Sequence, residues 1–374
     1  MNFAHVSTFP PLRCGIASFA TDTIAATPGI HSKYSLHYGH GAAADAAASA
    51  NVRSPDELAR LGSLISASDC DVVCLQHEFG IWGGRDGEHI HAFLSQLSKP
   101  VVAVLHTTFG PNVRNPVQEE ILLRLAAKSE RVVVLTPMAK ASVEALLGEP
   151  TDKLVVIPHG VPDVPFHPPP ESWNSGDADR PCRLVTPGFF RESKGFETVL
   201  LALYWLIKRG RRLHYTIAGE PQKQFDGQES YREHLQELVQ ILGLADVVRF
   251  DTWYLTLEDQ IATIQASHAG VFAYQDPSQS SSGTVPLVLA GGRPAICTPF
   301  EYAKDRRGEG LPIQLAEDFG VLALARSIEA LLDSPSYPDV TRDTYSRTRA
   351  WTWSAVGRRF REVCEDATTS RRTK

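Results

Sequence analysis

Nowhere does the sequence carry an apolar run approaching the roughly 20 residues needed to span a bilayer. No CxxC pair occurs among its six cysteines, Cys14, Cys70, Cys74, Cys182, Cys297 and Cys364. That scatter argues against a zinc site or a disulfide framework and predicts reduced thiols. There is no excess of positive charge either. Lys and Arg total 37 against 43 Asp and Glu, a net charge of −6, which argues against nucleic acid as a partner. The GxxxxGK[ST] and GxSxG motifs are missing, so neither a P-loop nor a nucleophile elbow is available. No group of His, Cys and Asp shows metal-ligand spacing, and no metal is expected. Met1–Ser7 leads straight into a strand with no charged-then-apolar leader, so a cytoplasmic protein is expected.

What is present is alternation. At 374 residues the chain exceeds one ordinary core, and two domains are the prior. In the first half, Phe3–Val6, Tyr34–Tyr38, Asp71–Gln76, Val101–His106, Arg131–Thr136 and Leu154–Pro158 read as strands. Ile16–Ala26, Pro55–Ala67, Gly87–Leu97, Val117–Lys128 and Pro137–Leu147 read as helices between them. Runs such as VVAVLH and VVVLT suit strands buried on both faces of a parallel sheet. Composition then shifts to the proline-rich PHGVPDVPFHPPPESWNSGDADRP, Pro158–Pro181, which suits a boundary rather than a core. Beyond it the alternation restarts. Strands are expected at Arg183–Thr186, His214–Ala218, Val247–Phe250, Val271–Tyr274 and Ala295–Thr298. Helices are expected at Phe196–Lys208, Tyr231–Leu242, Leu257–Ala266, Val285–Ala290, Asp318–Leu332 and near Ser354–Cys364, with a frayed tail after Asp366. The fold class is α/β, as two Rossmann-like doubly wound domains facing a cleft: 1–165, a linker at 166–181, and 182–350.

One stretch organises the rest, VFAYQDPSQSSSGTVPLVLAGGRPAICTP over Val271–Pro299. It reads as strand, polar loop, short helix and second strand. Pro286 is tolerated in the first helical turn, and Gly291-Gly292 ends it. The amides of Ser282, Gly283 and Thr284 would then lie at a strand's carboxyl end, where open α/β sheets bind phosphates. Other features fall at strand ends. PPLRCGIAS places Gly15 before the first helix, where the backbone can approach a ligand. QHEFGIWGG puts His77 and Glu78 after a strand, and His106 ends the next. GFFRESKG supplies Gly188, Arg191 and Lys194, and Glu220 follows another strand. Two cations and a helix start suit a diphosphate held without a metal. Each residue alone has a plainer account: buried histidines, a capping glutamate, solvated cations and a Ser/Thr-capped turn. Gly39–Ala44 (GHGAAA) matches GxGxxA, but its Ala-rich continuation and the lack of a following acidic residue make it a weak dinucleotide signal.

Taken together, PPLRCGIAS, QHEFGIWGG, His106, VIPHGV, GFFRESKG, Gln279–Pro294 and the terminal WTWS resemble the retaining, family-4-type glycosyltransferases of the GT-B fold over nearly the whole chain. The resemblance implies a nucleotide diphosphate sugar held mainly by the C-terminal domain and a saccharide or glycolipid acceptor on the N-terminal side. It implies that Lys194, helped by Arg191, neutralises the diphosphate and that His106 lies against the donor sugar. Gly15, Gly188, Glu220, Gln279, Ser281, Ser282, Gly283 and Thr284 would line the donor site, and His77 and Glu78 the acceptor. The final helix, about 351–366, would return to the N-terminal domain. The family's two glutamates, eight positions apart, are replaced here by Gln279 and Leu287, and its usual arginine falls on Phe189. A glycoside phosphorylase or a non-catalytic relative on the same scaffold would share the remaining pattern. Lys208–Arg212 (KRGRR) and Arg371–Lys374 are candidates for peripheral contact with the inner face of a membrane, and a helix end and a loose tail account for them equally.

Overall fold

A computed structural model describes every residue except 110–114, 171–180, 220–227, 252–255, 335 and 373–374. The chain divides into two compact units, one of Met1–Gly160 with Trp351–Lys374 and one of Val161–Ala350.

Unit 1 is built on strands β1 (Asn2–Ser7), β2 (Ile30–His37), β3 (Ala48–Asn51), β4 (Val72–His77), β5 (Val101–Leu105), β6 (Arg131–Val134) and β7 (Leu154–Val156). They form one sheet in the order β3-β2-β1-β4-β5-β6-β7, every pair parallel. Helices α1 (Gly15–Ala26), α2 (Pro55–Ala67), α3 (Ile90–Gln96), α4 (Pro116–Lys128) and α5 (Pro137–Leu147) connect them. Three of these starts follow from local chemistry. Ser54, Asn115 and Thr136 cap α2, α4 and α5 with side-chain oxygens, each ahead of a proline in the first turn. All of β4 and β5 is buried, as their unbroken apolar runs require. Chain order reverses between β1 and β4, so the carboxyl ends of these strands form the switch point of the sheet.

Unit 2 repeats the plan with β8 (Cys182–Pro187), β9 (Leu213–Ala218), β10 (Val248–Asp251), β11 (Ala269–Phe272), β12 (Ala295–Cys297) and β13 (Ile313–Leu315). Their order is β10-β9-β8-β11-β12-β13, again all parallel, with the switch point between β8 and β11. The helices are α6 (Phe196–Lys208), α7 (Gln228–Ile241), α8 (Leu257–Gln265), α9 (Thr284–Ala290), α10 (Glu301–Gly308), α11 (Val321–Leu332) and α12 (Tyr337–Thr348). Buried Arg293 fastens the first part of the proline-rich stretch to this unit. Its guanidinium donates to the carbonyls of His167 and Pro168, and to those of Gln265, Ser267, Gly291 and Gly292. Among the described residues carbonyls alone satisfy this cation, and burial pulls its pKa down.

The last helix, α13 (Trp353–Arg372), packs on unit 1, with Val356, Phe360, Val363 and Cys364 in a cluster with Phe3, Val72 and Val104. The expected fraying after Asp366 is not found in 367–372. Ala367 is fully buried, and Arg371 donates to the carbonyls of Ser98 and Lys99 and pairs with Glu130. That basic residue is therefore engaged within unit 1. At the end of α6, Arg211 pairs with Glu329 and Asp333, while Arg209 lies over the Trp205 ring. All six cysteines are free thiols, and Cys74 and Cys364 face each other at 3.7 Å between their sulfurs. Gly39 and Gly41 have left-handed backbone in a loop that runs into β3 and not into a helix, so they do not form a dinucleotide turn. Among the described residues no helix is long and apolar enough to cross a membrane.

Candidate active site

In unit 2 the expected residues gather at the switch point. The turn after β8 carries Gly188 at φ +123°, where an added Cβ would lie 3.2 Å from the Thr284 methyl group. A short 3-10 turn, Glu192–Lys194, then ends at Gly195 in left-handed conformation. A Cβ at Gly195 would meet the Ala273 carbonyl at 2.0 Å, so only glycine lets this turn close on the end of β11. The Gln275 amide donates to the Ser193 carbonyl at 3.0 Å and locks the approach. The result places Lys194 beside Tyr274. Lys194 Nζ donates to the Tyr274 hydroxyl at 2.5 Å and lies 3.9 Å from the ring centroid.

Tyr274 is itself fixed. Its ring stacks on Phe300 at 4.7 Å, and its hydroxyl is 2.9 Å from Thr284 Oγ1 and 3.3 Å from Ser282 Oγ. Ser282 Oγ also accepts from the Val285 amide, which satisfies one of the first-turn donors of α9. With seven residues, α9 offers little macrodipole, so the charge at this site resides in Lys194. Gly283 is the N-cap residue and is exposed. Gln279 turns into its own loop, donating to the Ser281 carbonyl at 2.9 Å. Arg191 is exposed at the start of the 3-10 turn, and Glu220 lies outside the described residues. Leu287 is buried in α9. Tyr274 was missed from sequence because it reads as the last apolar residue of a strand. The signal was its place directly before an all-polar loop.

In unit 1 the expected histidines sit at the carboxyl ends of β4 and β5. His106 Nε2 is 2.7 Å from Gln76 Oε1, and the His106 amide donates to the His77 carbonyl. Burial, with His159 and His77 nearby, pushes the His106 pKa down to about 3, and burial does the same for His77. Both rings are therefore neutral at pH 7, and that of His106 serves as a hydrogen-bonding group. Ser7 Oγ, Gln76 Nε2 and both ring nitrogens of His77 are buried without a partner among the described residues. These unpaired atoms lie at the switch point of the sheet and are closed to solvent. Glu78 is committed locally, accepting from the Gly80 amide at 2.7 Å as the cap of a short turn. Gly15 opens α1 and is exposed, and an added Cβ there meets nothing within 4 Å. His159, within VIPHGV, packs with Phe19 and Trp353. Among the described residues no group of three or more His, Cys, Asp or Glu could hold a metal ion.

Two seven- and six-stranded parallel sheets, each with a polar switch point, can be set beside known proteins. Residues 25–163 match the model of Glycosyltransferase Family 4. HepE from Anabaena, in complex with UDP and glucose, superposes with a TM-score of 0.74 at 12% identity, over 98% of this chain and 99% of that one. The fold is GT-B. A glycosyltransferase from Rickettsia africae ESF-5 gives a TM-score of 0.72 at 14% identity, over 98% of each chain. Sucrose-phosphate synthase from Thermosynechococcus elongatus gives 0.71 at 16% identity, over 99% of each. No curated protein matches the sequence. The resemblance to family-4-type GT-B glycosyltransferases drawn from the motifs therefore holds.

Proposed function

We propose that this GT-B protein is a retaining glycosyltransferase moving a hexose from a nucleotide diphosphate sugar to a saccharide or glycolipid acceptor. The observation that carries the reading is the ammonium of Lys194, held with the hydroxyls of Ser282 and Thr284 around Tyr274 at the switch point of unit 2. That combination of one cation and several hydroxyl donors suits a diphosphate. UDP and UDP-glucose are bound by HepE, and a UDP-sugar analogue by a trehalose-6-phosphate protein of E. coli with the same fold, which favours a uridine nucleotide as the first donor to test. The neutral His106, at the end of β5, is assigned to the donor sugar.

In the reaction, the bond from the anomeric carbon to the diphosphate breaks as the acceptor oxygen bonds to that carbon on the same face. The acceptor's proton passes to the leaving phosphate oxygen. The chain's task is to stabilise the departing diphosphate, with Lys194 and Arg191 supplying charge in place of a metal ion.

The test is turnover of UDP-, GDP- and ADP-sugars by wild type and Lys194→Ala. Loss of the charge-assisted contact should cost about 2–4 kcal/mol in the transition state, roughly 30- to 1,000-fold in rate. Full turnover by a folded Lys194→Ala protein would remove Lys194 from the site. Phosphate-dependent release of sugar phosphate would mark a phosphorylase instead.

A further inference from the structure

The hydroxyl of Tyr274 sits at the centre of a bond chain whose first link is fixed by chemistry. An ammonium has three donors and no acceptor, so Lys194 Nζ must donate and Tyr274 Oη must accept, at 2.5 Å. Tyr274 Oη keeps one proton and one lone pair for its other neighbours, Thr284 Oγ1 at 2.9 Å and Ser282 Oγ at 3.3 Å, and either atom of each pair can donate. Ser282 Oγ already accepts from the Val285 amide. Thr284 Oγ1, once it accepts from Tyr274, has its own proton left to donate elsewhere. Thr284 is only partly buried.

The ring is held independently of the hydroxyl. It stacks on Phe300, and Tyr274 lies two residues beyond the buried end of β11. Opposite, the closeness of the Lys194 turn is enforced by Gly195 against the Ala273 carbonyl. The hydroxyl therefore joins two pieces of backbone, the turn after β8 and the start of α9, that each carry a donor.

We propose that Tyr274 is a positioning residue of the donor site, aligning the Lys194 ammonium and the Thr284 hydroxyl as paired donors to one diphosphate. This rests on the donor reading above and adds to it a residue that acts through Lys194 and Thr284. With Tyr274 donating to Thr284, the cation strengthens that donation by drawing electron density from the phenol.

Calorimetric titration of UDP and UMP into wild type, Tyr274→Phe, Lys194→Ala and the double variant tests this. Tyr274→Phe keeps the ring on Phe300 and should weaken UDP about tenfold while leaving UMP unchanged. In the Lys194→Ala background the same change should weaken UDP by no more than about twofold, because its effect runs largely through that ammonium. Unchanged UDP affinity in Tyr274→Phe, or losses that multiply in the double variant, would overturn the positioning role alone. Wild-type protein that binds no UDP would overturn the uridine donor reading and this assignment together. A Tyr274→Phe protein with equal losses for UDP and UMP would show a general structural effect and also overturn the role.

Discussion

Gly160 and Trp353 close on each other so tightly that a Cβ on Gly160 would lie 2.2 Å from the indole Cε3. The contact ties the glycine of VIPHGV to the tryptophan that opens α13. The indole is held in turn by Phe19 at 5.4 Å and His159 at 5.7 Å, the same Phe19 that meets His106 edge-on at 4.6 Å. Gly160→Ala should therefore force the indole out of this stack and cost roughly 1–3 kcal/mol by overpacking. Thermal unfolding of the variant checks it. An unchanged melting temperature would mean the indole has room to shift.

Central strands such as β4 and β5 were legible as unbroken apolar runs, and α2, α4, α5 and α8 through their capping residues. Elements that break those patterns were not. Strand β3 is only ASAN, four small residues inside an Ala-rich stretch. Helix α10, EYAKDRRG, is almost wholly polar and is not amphipathic, yet buries Tyr302, Ala303 and Arg306. Helix α12 likewise buries three threonines in place of an apolar stripe. Of the candidate site, the sequence placed the residues that stand at strand ends. Lys194 and Thr284 meet as donors around one group, but that group is Tyr274, and only the register of β8 beside β11 brings them to it. Gln279 read as a ligand for sugar hydroxyls, while its amide donates within its own loop.

Gly15 offers a test that separates ligand from fold. It is exposed at the start of α1, and its added Cβ would touch no protein atom. Gly15→Ala should leave stability unchanged or raise it by about 0.4–1 kcal/mol, since alanine restricts the unfolded chain. If a donor phosphate approaches this backbone, transfer should fall at least about tenfold with no fall in melting temperature. Full activity would place the phosphates elsewhere.

Acid should weaken unit 1 through its neutral histidines. Burial holds the pKa values of His5, His77 and His106 down at about 3, against an ordinary 6.5. Between those values the unfolded chain binds protons that the folded chain does not, so stability rises with pH across this window. Each such histidine contributes a slope of up to about 1.4 kcal/mol per pH unit. Stability should thus be fully present above pH 6.5 and be lost progressively below it. Denaturant titrations from pH 7 to pH 5 check the sign. His77→Gln should remove about one proton from the slope, and an unaltered slope would show that His77 is charged in the fold.

The buried Leu287 makes the last prediction. It stands in α9 where the resemblance expects a carboxylate gripping the ribose of the nucleotide. A carboxylate hydrogen bond of that kind contributes about 1.5–3 kcal/mol, and a leucine contributes none. Nucleotide affinity here should then rest on the diphosphate contacts of Lys194, Ser282 and Thr284. UMP should bind disproportionately weakly beside UDP, because it lacks the second phosphate. Removing the ribose 2′-hydroxyl from UDP should cost little, since no buried charged acceptor is left unpaired by its loss. Calorimetry of UDP, UMP and 2′-deoxy-UDP measures both differences on one protein. A 2′-deoxy penalty above about tenfold would show that another residue grips the ribose, and Leu287→Glu should then fail to improve UDP binding.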